Sequence, residues 1–149
     1  MKFLILLINL SFIIMTAYSQ TEPVDTINLA RLKANDKKFS EANELLTLYN
    51  AHQRDQYGIQ LQAQILYWMK KFEKAQLLYE EGTALYPAYI SLKLDYARML
   101  YQLNKTEKAS GLFLEVLSAD KKMQRQIFPW PGSICKTVTL LRLKKEPNI

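Results

Sequence analysis

Apolar residues recur every three or four positions along most of this chain, which is the spacing of one buried helical face. Two neighbouring segments show such faces clearly, formed by Ile59, Ala63, Leu66 and Tyr67 and by Ala75, Leu78, Tyr79 and Leu85. Six segments of this kind predict helices at approximately 25–35, 39–52, 57–69, 72–85, 88–103 and 106–119. Glycine and proline are scarce, with four and five copies. An all-α fold is therefore predicted.

The helical segments also repeat with a period of 34 residues. Residues 56–86 are identical at nine positions to the residues 34 places further along the chain. A weaker copy lies 33 residues upstream, as expected for a terminal repeat that has only one neighbour. Each copy reads as helix, turn, helix, so three hairpins are predicted at 23–54, 56–87 and 90–120.

Small residues recur where the two helices of each hairpin should approach most closely. Ala63 is expected to face Ala75 across the second hairpin, and Ala97 to face Ala109 across the third. A bulky side chain at such a position would force the helices apart. These alanines are therefore predicted to be structural.

The repeat resembles the tetratricopeptide repeat, in a form similar to that of exported bacterial proteins that contain it. The residues that carry the resemblance are Ala30, Phe39, Ala42, Ala63, Phe72, Ala75, Tyr79, Pro87, Ala97, Ala109 and Phe113. Two features depart from the family pattern: the usual Trp and Leu-Gly of the first helix are missing, and Gly82 replaces the customary alanine. The resemblance implies an α-solenoid of about three antiparallel helix hairpins.

The resemblance also implies a partner-binding groove lined by the first helix of each repeat. The candidates there are Arg31, Gln60, Gln64, Tyr67, Trp68, Leu94, Arg98 and Tyr101. Tyrosine, tryptophan and arginine are frequent anchors of protein interfaces. The structural alternative is that Tyr67 and Tyr101 pack between helices and that Trp68 is exposed or lies at a repeat junction.

The first nineteen residues predict a secretory signal peptide. Lys2 precedes an apolar run from Phe3 to Met15, which is too short for a membrane-spanning helix, and Ala17 and Ser19 have the small side chains of a cleavage site. Cleavage after Ser19 would deliver the chain to the periplasm or the medium. The alternative is an uncleaved membrane anchor.

The last 29 residues break the helical pattern and are basic. Seven lysines and arginines and no acid lie between residues 121 and 145. We expect 121–149 to form a cap over the end of the stack or to be irregular, although its Val and Thr content favours a strand. The charge suits contact with a membrane surface, and a solvated chain end is the plainer interpretation.

No residue pattern predicts catalysis, a cofactor or a metal site. His52 is the only histidine and Cys135 the only cysteine, and neither belongs to a cluster of ligands. Glu80 and Glu81 are adjacent on a helix, so their side chains diverge by about 100° and do not form a facing acid–base pair. A predicted exported location also argues against nucleic acid as a partner.

The sequence therefore predicts a non-catalytic protein–protein interaction module with a protein or peptide partner. The alternative is the periplasmic N-terminal segment of a larger outer-membrane or envelope assembly protein, here truncated or acting in trans. The sequence does not specify an oligomeric state.

Overall fold

The computed structural model describes residues 23–119. They form six helices: α1 (Pro23–Asn35), α2 (Phe39–His52), α3 (Gln56–Trp68), α4 (Phe72–Leu85), α5 (Ile90–Gln102) and α6 (Thr106–Ala119). No β-strand occurs within this range. The predicted signal peptide at 1–19 and the basic tail at 121–149 lie outside the described residues.

The six predicted helices are confirmed, and local chemistry explains the shifts of one or two residues at their ends. Helix α3 begins one residue early because the Asp55 side chain caps it, with the backbone N–H of Gly58 donating to Asp55 Oδ1 at 2.8 Å. Helix α5 begins two residues late because the chain first turns after Pro87, where the Tyr89 N–H donates to the Tyr86 carbonyl at 3.0 Å.

Successive helices pair as the hairpins α1–α2, α3–α4 and α5–α6. We call the first helix of each hairpin its A-helix and the second its B-helix. The A-helices α1, α3 and α5 also contact one another in a row. The predicted class is therefore confirmed: an all-α solenoid of three tetratricopeptide-like hairpins.

Helix α3 contributes to both apolar cores of the stack. One face of α3 carries Leu61 and Ile65 into a core shared with the first hairpin. Another face carries Ile59, Ala63 and Leu66 into a larger core shared with α4, α5 and α6. Because the cores meet on one helix, the three hairpins pack as a continuous unit.

The alanines that were predicted to be structural are buried in the larger core. Ala63, Ala75 and Ala97 are 0% exposed and Ala109 is 1% exposed. The predicted apolar face of α4 ends early, however, because Leu85 is the last residue of the helix and is 52% exposed. Leu85 therefore does not share the burial of Ala75 and Tyr79 on the same face.

The three turns between A- and B-helices share one backbone geometry. Lys37, Lys70 and Asn104 all have left-handed conformations, with φ of 61°, 59° and 58°. In the second turn the N–H of Lys70 donates to the Tyr67 carbonyl and that of Lys71 to the Leu66 carbonyl, both at 2.9 Å. Such crossed bonds terminate a helix, and they favour glycine or asparagine at the left-handed residue.

Glycine at residue 70 should therefore stabilise the protein. Lys70→Gly removes a side chain that disfavours positive φ, so we expect the free energy of unfolding to rise by roughly 0.5–1 kcal/mol. Lys74→Gly is the matched control, because Lys74 lies within α4 and the same substitution there should cost about 1 kcal/mol. Urea denaturation followed by circular dichroism measures both changes. Destabilisation by both variants would contradict the expectation.

Candidate functional site

A groove of about 220 Å³ lies beside the adjacent A-helices α3 and α5. Helix α3 contributes three lining residues, α4 one and α5 four. They are Gln64, Tyr67, Trp68, Tyr79, Asp95, Arg98, Met99 and Gln102. The groove thus combines aromatic rings with amides and one pair of opposite charges.

Two buried side chains give the groove an apolar component. Tyr79 is 2% exposed and Met99 is 3% exposed. The Tyr79 ring stacks on the Tyr96 ring, with centroids 5.5 Å apart and 12° between the planes. Burial, and then the nearby Asp95 carboxylate, raise the pKa of the Tyr79 phenol well above its usual range, although Arg98 lowers it. Tyr79 therefore remains neutral at physiological pH.

Asp95 organises the polar side of the groove. The Nε2 atoms of Gln60 and Gln64 on α3 each donate to Asp95 Oδ2 at 2.5 Å. Arg98 Nη1 donates to Asp95 Oδ1 at 3.3 Å. The Tyr89 hydroxyl donates in turn to Gln60 Oε1 at 2.9 Å. This network links α3 to α5 and fixes the side chains that a partner would contact.

The aromatic residues of α3 are held by rings on neighbouring helices. Trp68 is 46% exposed, and its ring lies 5.7 Å from that of Phe39 at the start of α2. Tyr67 is half-buried, and its ring lies 5.5 Å from that of Phe72. Both descriptions of Trp68 are therefore correct, since it is exposed and also lies at a repeat junction. Tyr67 both packs between helices and lines the groove.

The structure brings together some of the predicted groove residues and separates others. Gln64, Tyr67, Trp68 and Arg98 line the groove, and Gln60 bonds to Asp95 beside it. Apart from Gln60, three predicted residues do not line it. They are Arg31, exposed on α1; Tyr101, half-buried against the larger core; and Leu94.

The prediction for Leu94 was wrong. Leu94 is 3% exposed and belongs to the larger core. The 34-residue register aligns it with Gln60, but the side chain of α5 that meets Gln60 is that of the next residue, Asp95. A step of one residue turns a helix by about 100°, which is enough to exchange a groove position for a core position.

Sequence reasoning missed Tyr79, Asp95, Met99 and Gln102. Asp95, Arg98 and Gln102 are spaced by three and four residues, so they share one face of α5, and this spacing could have identified the polar side. Tyr79 gave no such signal, because it reads as a core residue of the repeat and the structure gives it both roles.

The paired glutamates of α4 have separate partners, as their divergence on the helix predicts. Glu80 Oε1 accepts hydrogen bonds from Tyr96 at 2.8 Å and from Gln76 at 2.9 Å. Glu81 forms an ion pair with Arg54. Within residues 23–119, no group of three or more His, Cys, Asp or Glu side chains could hold a metal ion. No helix of the same range is long and apolar enough to cross a membrane.

Comparisons with known proteins show similarity in structure. No known family model matches the sequence, and no curated protein matches it. Among solved structures, the type III secretion translocator chaperone SycD of Yersinia enterocolitica (alternative dimer) aligns with a TM-score of 0.65 and 16% identity, over 85% of this chain and 96% of SycD.

Two further solved structures contain bound peptides. SycD in complex with a peptide of the translocator YopD aligns with a TM-score of 0.62 and 15% identity, over 82% of this chain and 93% of that one. The first tetratricopeptide domain of Spaghetti (RPAP3), bound to the HSP90 peptide SRMEEVD, aligns with a TM-score of 0.61 and 15% identity, over 83% and 92%. At these identities the likeness establishes the fold, and the tetratricopeptide-like architecture inferred from the repeats is confirmed.

Proposed function

We propose that this protein is a non-catalytic interaction module that binds an extended segment of a partner protein in the groove between α3 and α5. The observation that carries the proposal is the placement of half-exposed Trp68 beside Arg98 and a buried apolar surface. Exposed aromatic and arginine side chains around a buried apolar patch are typical of binding hot spots. The peptides bound by SycD and by the RPAP3 domain, which share this fold, support the proposal.

The size and chemistry of the groove favour a peptide over a small metabolite. Its volume of about 220 Å³ is below the roughly 300–1,000 Å³ of pockets that enclose a small molecule. It therefore suits one or two anchoring side chains of a longer segment. The amides of Gln64 and Gln102 can donate to and accept from a peptide backbone. Asp95, the one acid among the lining residues, is already bonded to two amides and to Arg98, which argues against a role as a general base.

The same proposal places the protein outside the cytoplasm. It rests on the signal-peptide pattern of residues 1–19. Expression in a bacterial host, followed by fractionation and mass spectrometry of the N-terminus, tests this part separately. We expect a periplasmic or secreted chain that begins at Gln20. A cytoplasmic chain with an intact N-terminus would contradict export and leave the groove proposal standing.

Peptide selection tests the groove. Peptides are selected from a displayed library for binding to the wild-type chain from Gln20 onward. We expect these peptides to bind the variants Trp68→Ala and Arg98→Ala at least about tenfold more weakly than the wild type, as for hot-spot residues. Leu77→Ala is the matched control, because Leu77 is 66% exposed on α4 and does not line the groove. Isothermal titration calorimetry measures the affinities. Equal binding by the groove variants and the control would overturn the assignment.

A further inference from the structure

Within residues 23–119, positive side chains are concentrated at one end of the hairpins and negative side chains in the rest. We define the A–B edge as the three turns between A- and B-helices with their flanking residues, at 31–42, 66–76 and 100–110. This edge carries nine lysines and arginines and four acids. The rest of residues 23–119 carries three lysines and arginines and seven acids. One edge of the solenoid is therefore positive and the remainder is negative.

Most of the positive charge on the A–B edge faces solvent. Seven lysines there are exposed: Lys37, Lys38, Lys70, Lys71, Lys74, Lys105 and Lys108. Lys33 forms an ion pair with the acidic Glu41 at 2.7 Å, and Lys105 Nζ also donates to Gln76 Oε1 at 2.5 Å. The other acids of the edge are Asp36, Glu73 and Glu107.

The shared turn geometry arranges these lysines in a row. All three A–B turns lie at the same end of their hairpins, and each contains one residue in the left-handed conformation. Neighbouring packed helices lie about 8–10 Å apart, so successive turns present their charges at a regular spacing of that order. The groove described above uses side chains of α3, α4 and α5 and does not contain any of these seven lysines.

The stability of the helices does not explain why these positions are occupied by lysines. Cations near the ends of the A-helices are favourable for the helix dipole. Lys74 and Lys108, however, lie in the first turns of the B-helices α4 and α6, where the dipole disfavours a cation. Lys37 and Lys70 occupy left-handed positions where glycine would be more stable. These four lysines of the edge therefore occupy positions where a lysine lowers the stability of the helix or turn.

We propose that the A–B edge docks on an anionic lipid surface. The exposed lysines are divided among three successive turns and none of them lines the groove, so their row fits a charged plane better than a single extended peptide. The opposite sign of the remaining charge would orient the molecule on that plane, with its A–B edge toward the lipid.

Vesicle binding tests the proposal with the chain from Gln20 to Ile149. We expect the protein to co-sediment with phosphatidylcholine vesicles that contain about 30% phosphatidylglycerol and not with pure phosphatidylcholine. Raising the salt from about 0.05 M to about 0.5 M should release it, because salt screens exposed charges. Binding to both kinds of vesicle, or no binding to either, would overturn the proposal.

Two triple variants with the same charge change separate the edge from the basic tail. The edge variant is Lys37→Gly, Lys70→Gly and Lys74→Gln, and the tail variant is Lys121→Gln, Lys122→Gln and Arg125→Gln. We expect the edge variant to lose on the order of 100-fold in vesicle affinity, since each lysine near an anionic surface contributes roughly fivefold. Its thermal midpoint should not fall, which excludes unfolding as the cause.

The remaining outcomes distinguish other anionic partners. If both variants lost the same vesicle affinity, net charge alone would explain the binding. If the tail variant lost more affinity, the binding would be assigned to residues 121–125. Either result would overturn the assignment to the edge. Dextran sulfate is the soluble competitor: if it binds the protein as tightly as the vesicles do, the edge recognises polyanions in general and the lipid assignment fails.

Discussion

Alanine at Phe113 should lower the free energy of unfolding by about 3–5 kcal/mol, the usual cost of removing a large buried aromatic side chain. Phe113 on α6 is 0% exposed and belongs to the larger core that α3, α4, α5 and α6 share. Its removal leaves a cavity in the last of the three hairpins that residues 23–119 form. Urea denaturation, followed by circular dichroism at the helical band, measures the loss.

Two further variants make this measurement specific. Leu77→Ala removes a large apolar side chain that is 66% exposed, so we expect a change within about 0.5 kcal/mol. Tyr79→Ala, one repeat earlier, should cost about as much as Phe113→Ala, because Tyr79 is 2% exposed in the same core. A loss for Phe113→Ala no larger than that for Leu77→Ala would show that α6 does not pack on the stack as described.

The equivalence of Tyr79 and Phe113 explains why the fold was predictable from sequence. Repeated units of one kind bury many of the same helical positions in each copy, so the 34-residue register reveals much of the core without a structure. The buried alanines of the hairpins follow from the same argument. Leu85 is an exception: it continues the apolar pattern of α4, but it is the last residue of the helix and is 52% exposed.

The groove was less predictable, because it depends on how neighbouring repeats are rotated against each other. Periodicity identifies which residues of a helix share a face, as for Asp95, Arg98 and Gln102, but not which neighbour that face meets. Leu94, which the resemblance implied for the groove, is buried in the core, and the polar contacts are made by Asp95. The hydrogen bonds from Gln60 and Gln64 to Asp95 join residues 35 and 31 positions apart, and only packing brings them together.

The A–B edge shows a different limit of sequence reasoning. The positive charge of the basic tail was visible as a continuous stretch, whereas the charge of the edge is divided among three turns far apart in sequence. The hairpin topology brings Lys37, Lys70 and Lys105 to one edge. The repeat register contains part of this row, since Lys71 and Lys74 align with Lys105 and Lys108, but the register alone does not show that the turns lie along one edge.

Gly82 departs from the tetratricopeptide pattern, and the packing of α4 explains the departure. A Cβ atom built on Gly82 would lie 2.6 Å from Ile59 Cγ2 and 2.8 Å from Leu92 Cδ2. Ile59 on α3 and Leu92 on α5 are both 0% exposed, so neither side chain can move aside freely. The glycine therefore allows α4 to approach the two A-helices on either side of it.

Gly82→Ala and Gly111→Ala should consequently change stability in opposite directions. Overpacking at residue 82 costs about 1–3 kcal/mol, which exceeds the gain of up to about 1 kcal/mol that alanine brings to a helix interior. Gly111 lies within α6, and a Cβ built there meets nothing within 4 Å, so alanine should raise the free energy of unfolding by roughly 0.8–1 kcal/mol. Parallel urea titrations of both variants and the wild type measure the two changes. If Gly82→Ala were stabilised as much as Gly111→Ala, α4 would not be in close contact with Ile59 and Leu92, and the inter-repeat packing described for α3, α4 and α5 would be wrong.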